Sequence, residues 1–151
     1  MKSNSRIYTT LFASALAITG IAGCGALGFL GNLLGANRVT VRLVNTSDDY
    51  DVTVQVRYGD ENLETKDLIK ALGEEVNRTL SPGESAEFSR DCDELESIFI
   101  DEAELEVPVV NIKEDTDVIV DGDNFGCGDT ITYTFTHSDL LVDFDIATSI
   151  N

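Results

Sequence analysis

The sequence predicts an all-β fold: an antiparallel two-sheet β-sandwich of about eight or nine short strands with one short helix. Three observations predict it. Apolar and polar residues alternate with period two along most of the chain from Arg38 onward, turn-forming clusters recur at short intervals, and a single stretch carries helical spacing. Val39, Val41 and Leu43 alternate with Thr40 and Arg42, and Val52, Val54, Val56 and Tyr58 alternate with Thr53, Gln55 and Arg57. The polar residues 45–50 between these strands suit a hairpin. Next comes the helix, about two turns long: Thr65 caps it, Leu68, Ile69 and Leu72 give it one apolar side, and Gly73 ends it.

The strands then resume as a meander. Residues 76–80 lead into Ser81-Pro82-Gly83-Glu84, where proline pre-sets a turn and glycine accepts positive φ, and residues 84–89 follow with Phe88 as the inward anchor. Residues 95–101 and 103–112 read as two further strands. Pro108 puts the second at an edge or breaks it, because proline cannot donate to a ladder. Residues 118–120 form a short buried run. The clearest strand is 130–136, where Ile131, Tyr133 and Phe135 face one way and Thr130, Thr132, Thr134 and Thr136 the other. Leu140, Val142, Phe144 and Ile146 close the series, and no internal repeat is visible.

Composition narrows the function classes. The 151 residues include 10 Lys+Arg against 28 Asp+Glu, a net charge of -18, with 42% hydrophobic residues. That apolar content is too high for a disordered acidic chain. Nucleic acid is excluded as a partner, because a phosphate backbone needs clustered cations and the basic residues here are scattered singly. The acidity reads as a solvated surface that tolerates or prefers salt, or else as one that collects divalent cations or a basic partner.

The N-terminal stretch has the layout of an export signal. Lys2 and Arg6 precede an apolar run from Leu11 to Ala22, and the run ends in Ile21-Ala22-Gly23-Cys24. These four residues resemble the lipobox of bacterial lipoproteins: an aliphatic residue, two small ones, then the cysteine that becomes the new N-terminus. The resemblance implies that residues 1–23 are a signal peptide removed by a dedicated peptidase, that diacylglycerol is attached to the Cys24 sulfur, and that the new amine is acylated. Two or three acyl chains anchor a protein stably, at about 0.8 kcal/mol per buried CH2. The partner it implies is the lipid bilayer, held through covalent lipid. The alternative is an uncleaved membrane helix, since no charge occurs between Ile7 and Asn37, although glycines at 20, 23, 25, 28, 31 and 35 interrupt that run. Gly25 after the cysteine looks like the outer-membrane sorting pattern of this family, which implies a protein of the cell envelope facing the periplasm or the exterior. Cleavage would remove Lys2 and Arg6 and no acid, leaving 8 basic against 28 acidic residues, a net -20. Residues 24–37 read as an apolar, glycine-rich lipidated tether that lies along the bilayer or packs on the domain. Residues 38–151 form the acidic sandwich.

Export places Cys92 and Cys127 in an oxidising compartment, where an even pair is expected to form a disulfide. Joining them would gather Asp91 and Asp93 with Asp121, Asp123 and Asp129 around a glycine-rich turn, a set of hard oxygen ligands suited to weak Ca2+ binding. The alternative there is ordinary Asx turns. Phe125 stands where an EF-hand needs a ligand. No zinc or CxxC spacing, phosphate loop, nucleophile elbow or dinucleotide fingerprint is present, and the single His137 reads as a solvated turn residue. The expectation is therefore a non-enzymatic envelope lipoprotein, a structural or binding module with no required cofactor, whose partner is an envelope protein or polysaccharide. A Ca2+-dependent adhesion module is the runner-up and an envelope hydrolase the third reading.

Overall fold

The computed structural model describes residues 37–108, 111–138 and 143–151. Along them run β1 (Arg38–Asn45), β2 (Val52–Gly59), α1 (Lys66–Leu72), β3 (Glu74–Leu80), β4 (Ser85–Asp91), β5 (Ser97–Leu105), β6 (Ile112–Glu114), β7 (Ile119–Val120), β8 (Thr130–Ser138) and β9 (Asp143–Ile150). The strands form two sheets, one ordered β4-β1-β8-β9 and the other β3-β2-β5-β6 with β7 also paired to β5. This is the all-β sandwich expected. One pair, β1 with β8, is parallel, which the long chain between them permits. The lipobox, Cys24, the tether up to residue 36, Leu140 and Val142 lie outside the described residues.

Period-two alternation builds the core directly. Val39, Val41 and Leu43 of β1 and Ile131, Tyr133 and Phe135 of β8 meet Val52, Val54 and Val56 of β2 and Ile98, Ile100, Ala103 and Leu105 of β5 between the sheets, all buried. The apolar faces of β1 and β2 oppose each other across this core, so the polar segment between them does not close a hairpin. It carries the chain from one sheet to the other. The Ser81–Glu84 turn does the same between β3 and β4, so the expected meander is instead a pair of sheet crossings. Gly83 has φ 72° there, as the turn requires.

Residues 95–101 and 103–112 are not two strands. A single strand, β5, runs through Asp101 and Glu102, and a register shift opposite Gln55 and Val56 changes which side of the sheet its apolar residues occupy. That bulge turns the even-numbered Ile98 and Ile100 and the odd-numbered Ala103 and Leu105 to the same core, which breaks the alternation a sequence reader follows. Pro108 lies beyond the end of β5, in the connection to β6. Residues 119–120 are half-buried rather than buried.

Helix α1 starts and ends where expected. The Thr65 side chain accepts from the Leu68 N–H at 3.4 Å, and the Gly73 N–H donates to Ile69 O at 2.8 Å. Its apolar side, however, is not buried as a unit. Ile69 is buried, while Leu68 is 43% and Leu72 72% exposed. The helix covers the outer face of the second sheet, where Lys66 and Lys70 lie 5.8 and 6.0 Å from the ring of buried Phe99. Next to them Arg57 holds Asp101 at 2.8 Å and Glu75 at 2.6 Å, and Lys70 also pairs with Asp101.

Candidate functional site

A cleft of about 490 Å³ lies at one end of the sandwich. It is lined by Tyr58, Gly59, Asp60 and Leu63, by Leu72, Gly73 and Glu74 at the end of α1, and by Arg90, Asp93 and Glu94. Each element arrives for a local reason. Asp60 Oδ1 accepts the Asn62 N–H at 2.9 Å, an Asx turn that ends β2 and swings Leu63 back. A Cβ at Gly59 would lie 2.7 Å from the Leu63 Cβ, so only glycine permits that return. At Gly73 the backbone is extended (φ -77°), and glycine is needed for space instead: a Cβ there would sit 2.5 Å from the Tyr58 carbonyl. Ser97 Oγ donates to Leu63 O at 2.5 Å and secures the same loop from below.

Arg90 forms the floor. On β4 it is the register partner of inward-facing Val39, which aims it between the sheets where the core ends. Its guanidinium carbon lies 5.3 Å from the Tyr58 ring and 5.4 Å from the Phe88 ring, and Nε donates to Tyr58 Oη at 2.6 Å. The rim is acidic. Among the described residues none of Asp60, Glu74, Asp93 and Glu94 forms an ion pair with a lysine or arginine. Beside the rim, burial raises the Glu96 carboxyl above its usual value, and the charges of Glu61, Asp121, Asp60 and Asp93 raise it further. A negative field therefore covers this end of the molecule.

The disulfide is formed: Cys92 and Cys127 are joined, their Cα atoms 5.5 Å apart. It does not assemble the expected ligand set. Among the described residues no group of three or more His, Cys, Asp or Glu is placed to hold a metal ion, so Asp91, Asp93, Asp121, Asp123 and Asp129 are not gathered into a Ca2+ cage. The carboxylates have other positions. Asp91 pairs with Arg38 at 3.3 Å, Asp129 Oδ2 accepts the Gly126 N–H at 2.8 Å, and Asp93 lines the cleft. Phe125 turns into the core, and Gly122 and Gly128 take φ 79° and 97°, as turns in this loop require. His137 is no turn residue: it lies within β8, its ring edge-on to Tyr50 at 5.3 Å.

Sequence reasoning missed Tyr58, Leu63, Leu72, Glu74 and Arg90 as a group. The available signal was slight: a leucine in the last turn of a helix already credited with one buried side, and one arginine among acids.

Fold and site define a disulfide-bridged two-sheet β-sandwich with an acidic cleft at one end. No protein-family model and no curated protein matches the chain. Among solved structures it is similar to a protein from Eubacterium rectale determined by NMR, at 14% identity over 75% of this chain and 89% of that one, TM-score 0.44. It is also similar to the crystal structure of the T6SS lipoprotein TssJ1 from Pseudomonas aeruginosa, at 14% identity over 76% of this chain and 97% of that one, TM-score 0.42.

Proposed function

We propose that this chain is an exported lipoprotein of the cell envelope, anchored through acylated Cys24, whose sandwich is a non-enzymatic structural or binding module. The observation that carries the reading is Ile21-Ala22-Gly23-Cys24 at the end of an apolar run preceded by Lys2 and Arg6. The Cys92–Cys127 bridge supports it, since structural disulfides persist in oxidising compartments outside the cytosol. All three cysteines then have a use, two bridged and one acylated. The protein faces the periplasm or the exterior from an outer membrane, and its net negative charge keeps the domain off anionic head groups. Intact-mass measurement on chain purified from membranes tests this. The expected species begins at Cys24 and carries the added mass of acyl groups; residues 1 to 23 still attached would overturn the reading.

A further inference from the structure

Leu72 and Leu68 are the exposed large apolar residues among those described, and they stand one helical turn apart on the same side of α1. Leu72 is also a wall of the cleft, so this stripe runs into the concavity past Leu63 toward the ring of Tyr58. Apolar surface held open beside a concave site marks a docking surface. The charges around it select what docks. Four carboxylates, Asp60, Glu74, Asp93 and Glu94, line the cleft against the single cation Arg90, whose guanidinium is already engaged with Tyr58 and Phe88. A second copy of this chain, at net -18, would bring like charge to the site, and so would an anionic lipid surface or a nucleic acid.

We infer that the cleft binds a segment of a partner protein in which apolar residues stand beside lysine or arginine. The segment need not be regular: its apolar side chains lie on Leu68, Leu72 and Leu63, and a neighbouring basic side chain turns into the cleft among Asp60, Glu74, Asp93 and Glu94. Opposite charge steers the encounter and rejects acidic competitors, while the leucines separate this segment from any other cation. The raised Glu96 carboxyl accords with it: burial raises it first, and the like charges of Glu61, Asp121, Asp60 and Asp93 that raise it further are offset when a cation arrives. This inference rests on the binding-module part of the reading above and names the class of partner.

The test uses the full chain in phosphatidylcholine nanodiscs, with empty nanodiscs as the blank, and reads fluorescence anisotropy of labelled hexapeptides. The probes are Leu-Arg-Leu-Arg-Leu-Arg, the equally charged Gly-Arg-Gly-Arg-Gly-Arg, and the acidic Leu-Glu-Leu-Glu-Leu-Glu. The leucine–arginine peptide is expected to bind at least about tenfold more tightly than the glycine–arginine peptide, and the acidic peptide not at all. Leu72→Ser should weaken the first without changing the second. The pair Asp93→Asn and Glu94→Gln should weaken both, while the remote pair Asp143→Asn and Asp145→Asn leaves both within about twofold. Melting temperatures establish that each variant is folded. Equal affinity for the two basic peptides, an equal loss from the remote pair, or no binding of the leucine–arginine peptide up to about 1 mM overturns the inference. An acylated chain and an uncleaved one both enter nanodiscs, so these outcomes bear on the cleft, and the mass measurement bears separately on the anchor.

Discussion

Asn45 ties the two sheets together through Leu80: its Nδ2 donates to the Leu80 carbonyl at 3.0 Å, from the end of β1 in one sheet to the end of β3 in the other. The same amide reaches Tyr50 O at 2.9 Å and Ser81 O at 3.2 Å, and its Oδ1 accepts the Ser47 N–H at 2.9 Å. Asn45 is buried, and so are its bonds to the Leu80 carbonyl and from the Ser47 N–H, so these two groups have no water to fall back on. The β1–β2 and β3–β4 crossings between the sheets meet at this one side chain.

Asn45→Ala should therefore cost about 2 to 3 kcal/mol, since it removes at once the buried bonds to the Leu80 carbonyl and from the Ser47 N–H. Urea unfolding measures it. A loss below about 0.5 kcal/mol would mean the crossings hold without the amide.

Asp101 and Glu96 should depend on pH with opposite signs. The Asp101 side chain is 12% exposed. Burial alone would raise its carboxyl, but hydrogen bonds and charge from Lys70 and Arg57 outweigh this and hold it below the ordinary value. Its contribution is complete above the unfolded value of about 3.9 and is lost as pH falls through the folded one. Asp101→Asn should cost about 1 to 3 kcal/mol at pH 7, a deficit that shrinks below about pH 4. Glu96, raised by burial and by its acidic neighbours, penalises the folded state as pH climbs through its folded value. Glu96→Gln should raise the melting temperature at pH 7 and give no gain near pH 3.5. Melts of both variants across this range check the signs.

Tyr133 carries a different liability. Its hydroxyl is buried without a hydrogen-bond partner among the described residues, and burial pushes its pKa up, so the phenol stays neutral. Removing the oxygen removes an unpaid desolvation cost, and Tyr133→Phe should stabilise by about 1 kcal/mol. A comparable loss of stability would show that the hydroxyl has a partner, such as an internal water.

The bridge between Cys92 and Cys127 spans 35 residues of sequence. Replacing both by serine should lower stability by about 3 to 4 kcal/mol in the chain-entropy view. Unfolding under non-reducing conditions, compared with the native chain, measures it.

Much of the fold was legible because period two is a direct print of burial. Val39, Val41 and Leu43, and likewise Ile131, Tyr133 and Phe135, fall where alternation puts them. Pairing was not legible, because a polar connection such as residues 45–50 fits a hairpin and a crossing equally well, and Asn45 decides between them through partners far along the chain. The bulge in β5 defeated alternation outright, by adding Asp101 to one strand without an opposite residue. In α1, spacing located the helix but not its buried side: Ile69 alone turns inward while Leu68 and Leu72 stay open. The cysteine pair was legible from its count and inferred compartment, whereas the placing of the carboxylates around it was not: Asp129 accepts a backbone N–H and Asp91 pairs with an arginine. The cleft depends on Arg90 and Tyr58, 32 residues apart, and no local pattern announces it.

Everything said of location depends on one sulfur atom, and labelling it is the most direct measurement. Cells given radiolabelled palmitate should incorporate label into the native chain and none into Cys24→Ser, with the serine variant leaving the membrane fraction. An unlabelled native chain, or a serine variant that still sediments with membranes, would contradict the account.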